Sequence, residues 1–123
     1  MIIKQYKLSK TKRVKEAFVI EINGEFGGFI SINHIVYGHK ATTSSLVAPF
    51  FRGRGIGTLA HKVLLPYAFK TYKLVRIVGR CREYNKASAR MLEKSGYKFE
   101  GRLRKDHKKK GRYYDNLVYA KLK

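Results

Sequence analysis

The first half of the chain alternates apolar and polar positions with the period of β-strands. Residues 1–8 alternate weakly and predict a first edge strand, and the polar, basic stretch 9–15 predicts a loop. Residues 17–22 are apolar and β-branched, Asn23-Gly24 is a hairpin-turn signal, and strand character resumes over residues 25–36. Gly27-Gly28 inside that second run predicts a bulge or a close backbone approach. A turn at residues 37–40 leads to a third strand at 41–48, and Pro49, which cannot donate to a ladder, marks where pairing stops. From Thr58 the period becomes helical. Leu59, Val63 and Tyr67 recur at i+4, as do Ala60, Leu64 and Ala68, which predicts one apolar stripe on a helix kinked or distorted at Pro66. Residues 74–82 read as a strand in which Ile77, Gly79 and Cys81 alternate with Arg76, Val78 and Arg80. Asn85 is a good N-cap for a second helix over residues 86–95, closed by Gly96. Two last strands follow at 97–103 and 113–122, joined by the very basic connection 104–112.

Strands, helix, strand, helix, strand, strand is the order of an α/β domain with a mixed sheet, expected to span residues 1–123 as one unit. A strand–helix–strand unit around residues 46–82 implies a right-handed crossover and local parallel pairing. Ligands of such sheets prefer the carboxyl ends of the parallel strands.

Composition bounds what this domain can be. Its 123 residues suit one core, and 44% apolar residues exclude the signature of disorder. No apolar run reaches the roughly 18 residues of a membrane span, and the amino terminus lacks the apolar centre of a signal peptide, so a cytoplasmic location is expected. Cys81 is the one cysteine, which rules out an internal disulfide or a cysteine-based zinc site. His34, His39, His61 and His107 show no metal-ligand spacing; they are read as surface or packing residues, and no metal is expected.

Charge changes the picture more. Twenty-eight lysines and arginines face 8 acids, a formal +20, and the resulting field attracts polyanions. Nucleic acid or a ribosomal surface, a phosphorylated ligand with an acidic substrate, and plain solvated surface all fit such an excess. No acid falls between Phe26 and Arg82. That gap suits an anion site, because a nearby carboxylate would repel the ligand.

Residues 46–58, Leu46-Val47-Ala48-Pro49-Phe50-Phe51-Arg52-Gly53-Arg54-Gly55-Ile56-Gly57-Thr58, lie within it. Three alternating glycines before a helix let backbone N–H groups converge where the helix dipole favours an anion, and Arg52 and Arg54 flank them. A phosphate or diphosphate is the expected ligand. The P-loop pattern is rejected because no Gly-Lys-Ser or Gly-Lys-Thr occurs. Gly55-Ile56-Gly57-Thr58-Leu59-Ala60 nominally matches the dinucleotide fingerprint, but residues 70–82 lack the ribose-binding acid and an antiparallel meander precedes the loop.

Arg52-x-x-Gly55-x-Gly57 after a strand ending Val47-x-Pro49 resembles the GNAT superfamily of acetyl-coenzyme A-dependent N-acetyltransferases. Asn85-Lys86-Ala87-Ser88, then Leu92-Glu93-Lys94-Ser95-Gly96-Tyr97, then Glu100-Gly101-Arg102-Leu103-Arg104 and Tyr113-Tyr114-Asp115 look like its RimJ/RimL-type branch, named for ribosomal-protein N-terminal acetyltransferases. The resemblance covers residues 17–122. It implies a mixed, mostly antiparallel central sheet with a splayed parallel strand pair and flanking helices.

The resemblance also assigns roles. The coenzyme A diphosphate is expected on the N–H groups of Arg52, Gly53, Arg54, Gly55, Ile56, Gly57 and Thr58. Pantetheine is expected alongside Leu46 and Val47, with backbone N–H near Val47 polarising the acetyl carbonyl. Asn85 matches the family's cofactor-contacting asparagine, its other role being the N-cap, and Ser88 is the candidate acid near the sulfur. Many family members carry a tyrosine where this chain has Leu92, and Tyr84 is the candidate substitute. The family's strand carboxylate is missing from residues 74–82, leaving Asp115 or ordered water as proton acceptor; the other reading of Asp115 is a turn or salt-bridge role near Arg112.

One departure bears on the acceptor. The family places one or two helices between the first strand and the hairpin, and only residues 9–16 are available for them. The acceptor side is therefore expected to be open, or completed by a second subunit of a homodimer or by the substrate itself. A primary amine on a protein N-terminus or another macromolecule fits this better than an enclosed small molecule, and +20 disfavours a polyamine. The cluster 102–112 is a candidate surface for an acidic or nucleic-acid partner. The alternative reading is a catalytically reduced module of this fold that binds RNA or the ribosome.

Overall fold

The computed structural model describes residues 2–6 and 15–123. Strands β1 (Ile2–Tyr6), β2 (Lys15–Ile22), β3 (Glu25–Val36) and β4 (Lys40–Val47) form an antiparallel meander. A single 3-10 turn at Pro49–Phe51 leads into helix α1 (Ile56–Tyr72). Strand β5 (Arg76–Arg82), helix α2 (Lys86–Lys94) and the hairpin β6 (Lys98–Lys109) and β7 (Arg112–Leu122) complete the chain. The seven strands of the described residues make one sheet in the order β1-β2-β3-β4-β5-β7-β6. Only β4 and β5 run parallel. The expected mixed, mostly antiparallel sheet is the one observed. The predicted loop 9–15 falls largely outside the described residues.

Asn23 and Gly24 both take positive φ, 51° and 82°, as a tight hairpin turn requires. The register then slips, with Ile20 opposite Gly28 and Glu21 opposite Phe26, so Gly27 is the bulged residue. At Gly28 a Cβ would stand 2.1 Å from the Leu46 carbonyl oxygen, so only glycine lets β3 approach β4 there.

Both helices cover the same face of the sheet. Thr43 and Gly79 are register partners, a Cβ on Gly79 would meet Leu92 of α2, and Ser45 on the same face bonds to His61 of α1. Between sheet and helices lies the core of Ile20, Ile30, Ile32, Ala60, Leu64, Leu74, Ile77 and Leu92. On the opposite face Phe29 and Leu46 pair across β3 and β4 and stay 43% and 53% exposed, with no described element over them.

Three expectations need correction. The Leu59, Val63 and Tyr67 row is largely exposed, and α1 instead buries Ala60, His61, Leu64, Leu65 and Ala68. The two rows are adjacent on the helix surface, and only the second faces the sheet. Helix α1 starts at Ile56 rather than at Thr58, and Pro66 lies inside its span. Pro66 lies on the exposed side, where water can reach the carbonyl it leaves without an amide partner. The basic stretch 104–112 is hairpin rather than connection, with only Lys110 and Gly111 in the turn, both at positive φ. Both faces of that ribbon are wet, so it shows no apolar alternation to read.

Candidate active site

Parallel pairing joins Lys40, Ala41, Thr42 and Thr43 to Arg76, Ile77, Val78 and Gly79, and stops there. Beyond it residues 44–47 stay bonded to β3 alone, and residues 80–82 to β7 alone. The two strands thus splay into a V open at their carboxyl ends. The Ala48 N–H donates to the Gly27 carbonyl at 2.8 Å. Successive strand residues turn their amides to opposite edges, so the Val47 N–H and carbonyl point into the V. Arg52 Nε donates to that carbonyl at 3.0 Å, folding the loop back onto the strand end.

The glycine loop closes one end of the V. Gly53 and Gly55 have φ of 77° and 75°, and a Cβ at either would meet nothing within 4 Å, so their backbone faces open space. Gly55 is the N-cap of α1, no side chain caps the helix, and its first turn contains no acid. The first intrahelical bond runs from the Leu59 N–H to the Gly55 carbonyl, which leaves the N–H groups of Ile56, Gly57 and Thr58 without a helical acceptor. Helix α2 makes the contrast, since Asn85 Oδ1 accepts the Ser88 N–H at 3.1 Å. Gly57 packs where a Cβ would lie 3.3 Å from Met91 and 3.6 Å from Val47, tying the helix start to the strand end. The Arg54 guanidinium lies 5.1 Å from the centre of the Phe50 ring and 5.6 Å from that of Phe51. The loop thus presents backbone donors to open space, with Arg52 and Arg54 beside them, an arrangement that suits an anion.

The other arm of the V leads from Arg82 through Glu83 and Tyr84 into α2. Tyr84 is 48% exposed and packs edge-on against Tyr114 at 5.0 Å. Ser88 is half-buried in the first turn of α2, and its hydroxyl is not spent on the cap, which uses the backbone N–H. Leu92, one turn on, is part of the core, so no side chain there reaches the V as an acid.

Asp115 takes the salt-bridge role. Its Oδ2 accepts Arg102 Nη1 at 2.8 Å and its Oδ1 accepts the Lys105 N–H at 2.9 Å. Those two donors, the guanidinium first, hold its carboxyl below the usual aspartate range, which makes it a poor proton acceptor. The partner is Arg102, not Arg112, and Glu83 accepts from the same guanidinium at 3.0 Å.

Sequence reasoning placed His61 among surface or packing residues but missed its hydrogen bonds. His61 is buried in α1; its Nε2 bonds to Ser45 Oγ at 3.0 Å and its Nδ1 to the Tyr97 hydroxyl at 3.1 Å. The Tyr97 hydroxyl also meets Thr43 Oγ1 at 2.8 Å. Burial lowers the His61 pKa from 6.5 to about 4, so the ring is neutral near pH 7. The clasp holds Thr43, the last β4 residue paired with β5, and Ser45, in the splayed segment. Its signal in the sequence was a histidine beside Ala60 on the row that faces the sheet.

The glycine loop, the splayed strands and the α2 turn thus meet at the carboxyl ends of the parallel pair β4 and β5. The Acetyltransferase (GNAT) domain family matches residues 1–98. The chain belongs to that family. It is 27% identical over 97 residues to spermidine N(1)-acetyltransferase of Escherichia coli, covering 78% of this chain and 52% of that protein. It is 30% identical over 102 residues to the putative ribosomal N-acetyltransferase YdaF of Bacillus subtilis, covering 82% and 56%. Among solved structures, the microcin C7 self-immunity acetyltransferase MccE in complex with acetyl-CoA and AMP superposes with a TM-score of 0.84 at 25% identity, over 92% of this chain and 63% of that one. The chain spans about half the length of the curated relatives it matches. No helix among the described residues is long and apolar enough to cross a membrane.

Proposed function

We propose that this GNAT chain transfers acetyl from acetyl-coenzyme A to a primary amine, a protein N-terminus or another macromolecular amine. The observation that carries the reading is the uncapped, acid-free start of α1 beside a strand end whose amide faces an open V. The diphosphate sits on the N–H groups of Gly53 to Thr58, with Arg52 and Arg54 at its sides, and pantetheine extends along Leu46 and Val47. The thioester carbonyl then meets the Val47 N–H. A neutral amine attacks the carbonyl carbon, the C–S bond breaks, and the thiolate takes a proton from Ser88, with Tyr84 as the alternative donor, and the donor regains its proton from water. The amine proton leaves through water, because Asp115 is already committed to Arg102 and Lys105.

The exposed sheet face around Phe29 and Leu46 supports a large acceptor, and +20 disfavours a polyamine. Relatives named for spermidine and for ribosomal proteins make this the choice to test. With acetyl-coenzyme A present, thiol release is expected with peptides bearing free N-termini and, at equal concentration, at least tenfold less with spermidine. The reverse order would overturn the acceptor assignment, and release with neither would favour the non-catalytic RNA-binding reading.

A further inference from the structure

Pairing between β5 and β7 ends at Arg82 and Asn116, so residues 104–114 project beyond the sheet as a two-stranded ribbon. This ribbon carries Arg104, Lys105, Lys108, Lys109, Lys110 and Arg112, all exposed. Its one acid, Asp106, accepts a hydrogen bond from Asn116 Nδ2 at 2.8 Å. Asp115 at the base is bridged by Arg102 and also feels the charge of Arg104, and among the described residues no carboxylate forms a salt bridge with any of the six cations.

Aromatic rings are interleaved with these charges. Tyr113 is 55% exposed, with Lys105 Nζ 6.0 Å and Lys108 Nζ 5.5 Å from its ring centre. Tyr84 packs on Tyr114 and has Lys109 Nζ at 5.7 Å. Unpaired cations alone suit any polyanion. Exposed rings among them suit one whose units carry flat, stackable faces between phosphates, and an acidic peptide has none to offer.

We propose that the ribbon binds single-stranded nucleic acid, the six cations tracking the phosphates and Tyr113 stacking a base. The surface adjoins the acetyl site at Tyr84, which packs on Tyr114 of the ribbon and opens the turn to Asn85 and Ser88.

Fluorescence anisotropy with labelled twelve-nucleotide uridine and thymidine oligomers tests this, with polyglutamate as competitor. Tight binding at low salt is expected, weakening as salt rises. Replacing Lys105, Lys108 and Lys109 with alanine removes three phosphate contacts and is expected to flatten the slope of log affinity against log salt by about 2. Arginine at the same positions is expected to restore it. Tyr113→Ala is expected to weaken binding about tenfold at an unchanged salt slope. Retained acetyl-coenzyme A binding shows that the variants are folded. The proposal is overturned if the triple alanine variant keeps the wild-type slope, or if polyglutamate displaces the oligomer as well as unlabelled oligomer does. Equal binding of both oligomers supports it, and a preference for uridine identifies RNA as the ligand.

Discussion

At the scale of single residues Ser88 and Asp115, two of the candidate proton carriers, are in opposite situations. The Ser88 hydroxyl is not used by the Asn85 cap, whereas both Asp115 oxygens are occupied and its carboxyl is held acidic. Ser88→Ala is therefore expected to lower the turnover number about tenfold or more while leaving acetyl-coenzyme A affinity unchanged. Asp115→Asn is expected to leave the acidic limb of the pH–rate profile in place, since water and not this carboxylate removes the amine proton. Steady-state kinetics across pH, with separate binding titrations, measures both. A lost acidic limb in the Asp115 variant would restore that residue as the base.

At the scale of elements the splay of β4 from β5 has two anchors, the Arg52 bond to Val47 and the clasp of His61 and Tyr97 on Ser45 and Thr43. The clasp is held by a neutral ring. His61 has a folded pKa near 4 against 6.5 for the free side chain, so between those values the unfolded chain binds the extra proton. Stability therefore falls as pH drops from about 6.5 toward 4, by about 3 kcal/mol in all, and this contribution levels off below. Urea unfolding at pH 7, 5.5 and 4.5 should show that fall, and His61→Gln should flatten it. Equal slopes for wild type and variant would mean that other groups carry the acid sensitivity.

Across the whole molecule, legibility in the sequence followed the local strength of each signal. Asn23-Gly24, Pro49 and the Asn85–Gly96 caps are backbone constraints confined to a few residues, and each punctuates the fold where expected. The glycine loop and the start of α1 were legible because the glycines that shape them are contiguous. Burial within α1 was not, because Leu59 and Ala60 open adjacent rows and only the tertiary position of β4 and β5 decides which faces inward. The clasp joins residues 36 and 54 positions apart, a proximity that periodicity cannot show. The basic ribbon lacks alternation because neither face meets a core. Catalytic direction had the same difficulty, since what sets Asp115 apart from a free carboxylate is its bonds to Arg102 and to the Lys105 N–H, which lie 13 and 10 positions away.

The central claim is that coenzyme A lies in the V with its diphosphate on the start of α1. Isothermal titration of the chain with acetyl-coenzyme A at low salt tests it most directly, beside the Arg52→Ala, Arg54→Ala double variant. One molecule bound per chain is expected, with affinity about tenfold lower in the variant through lost charge-assisted contacts to phosphate. A folded chain that binds no acetyl-coenzyme A, or binds it equally well without the two arginines, would contradict the account.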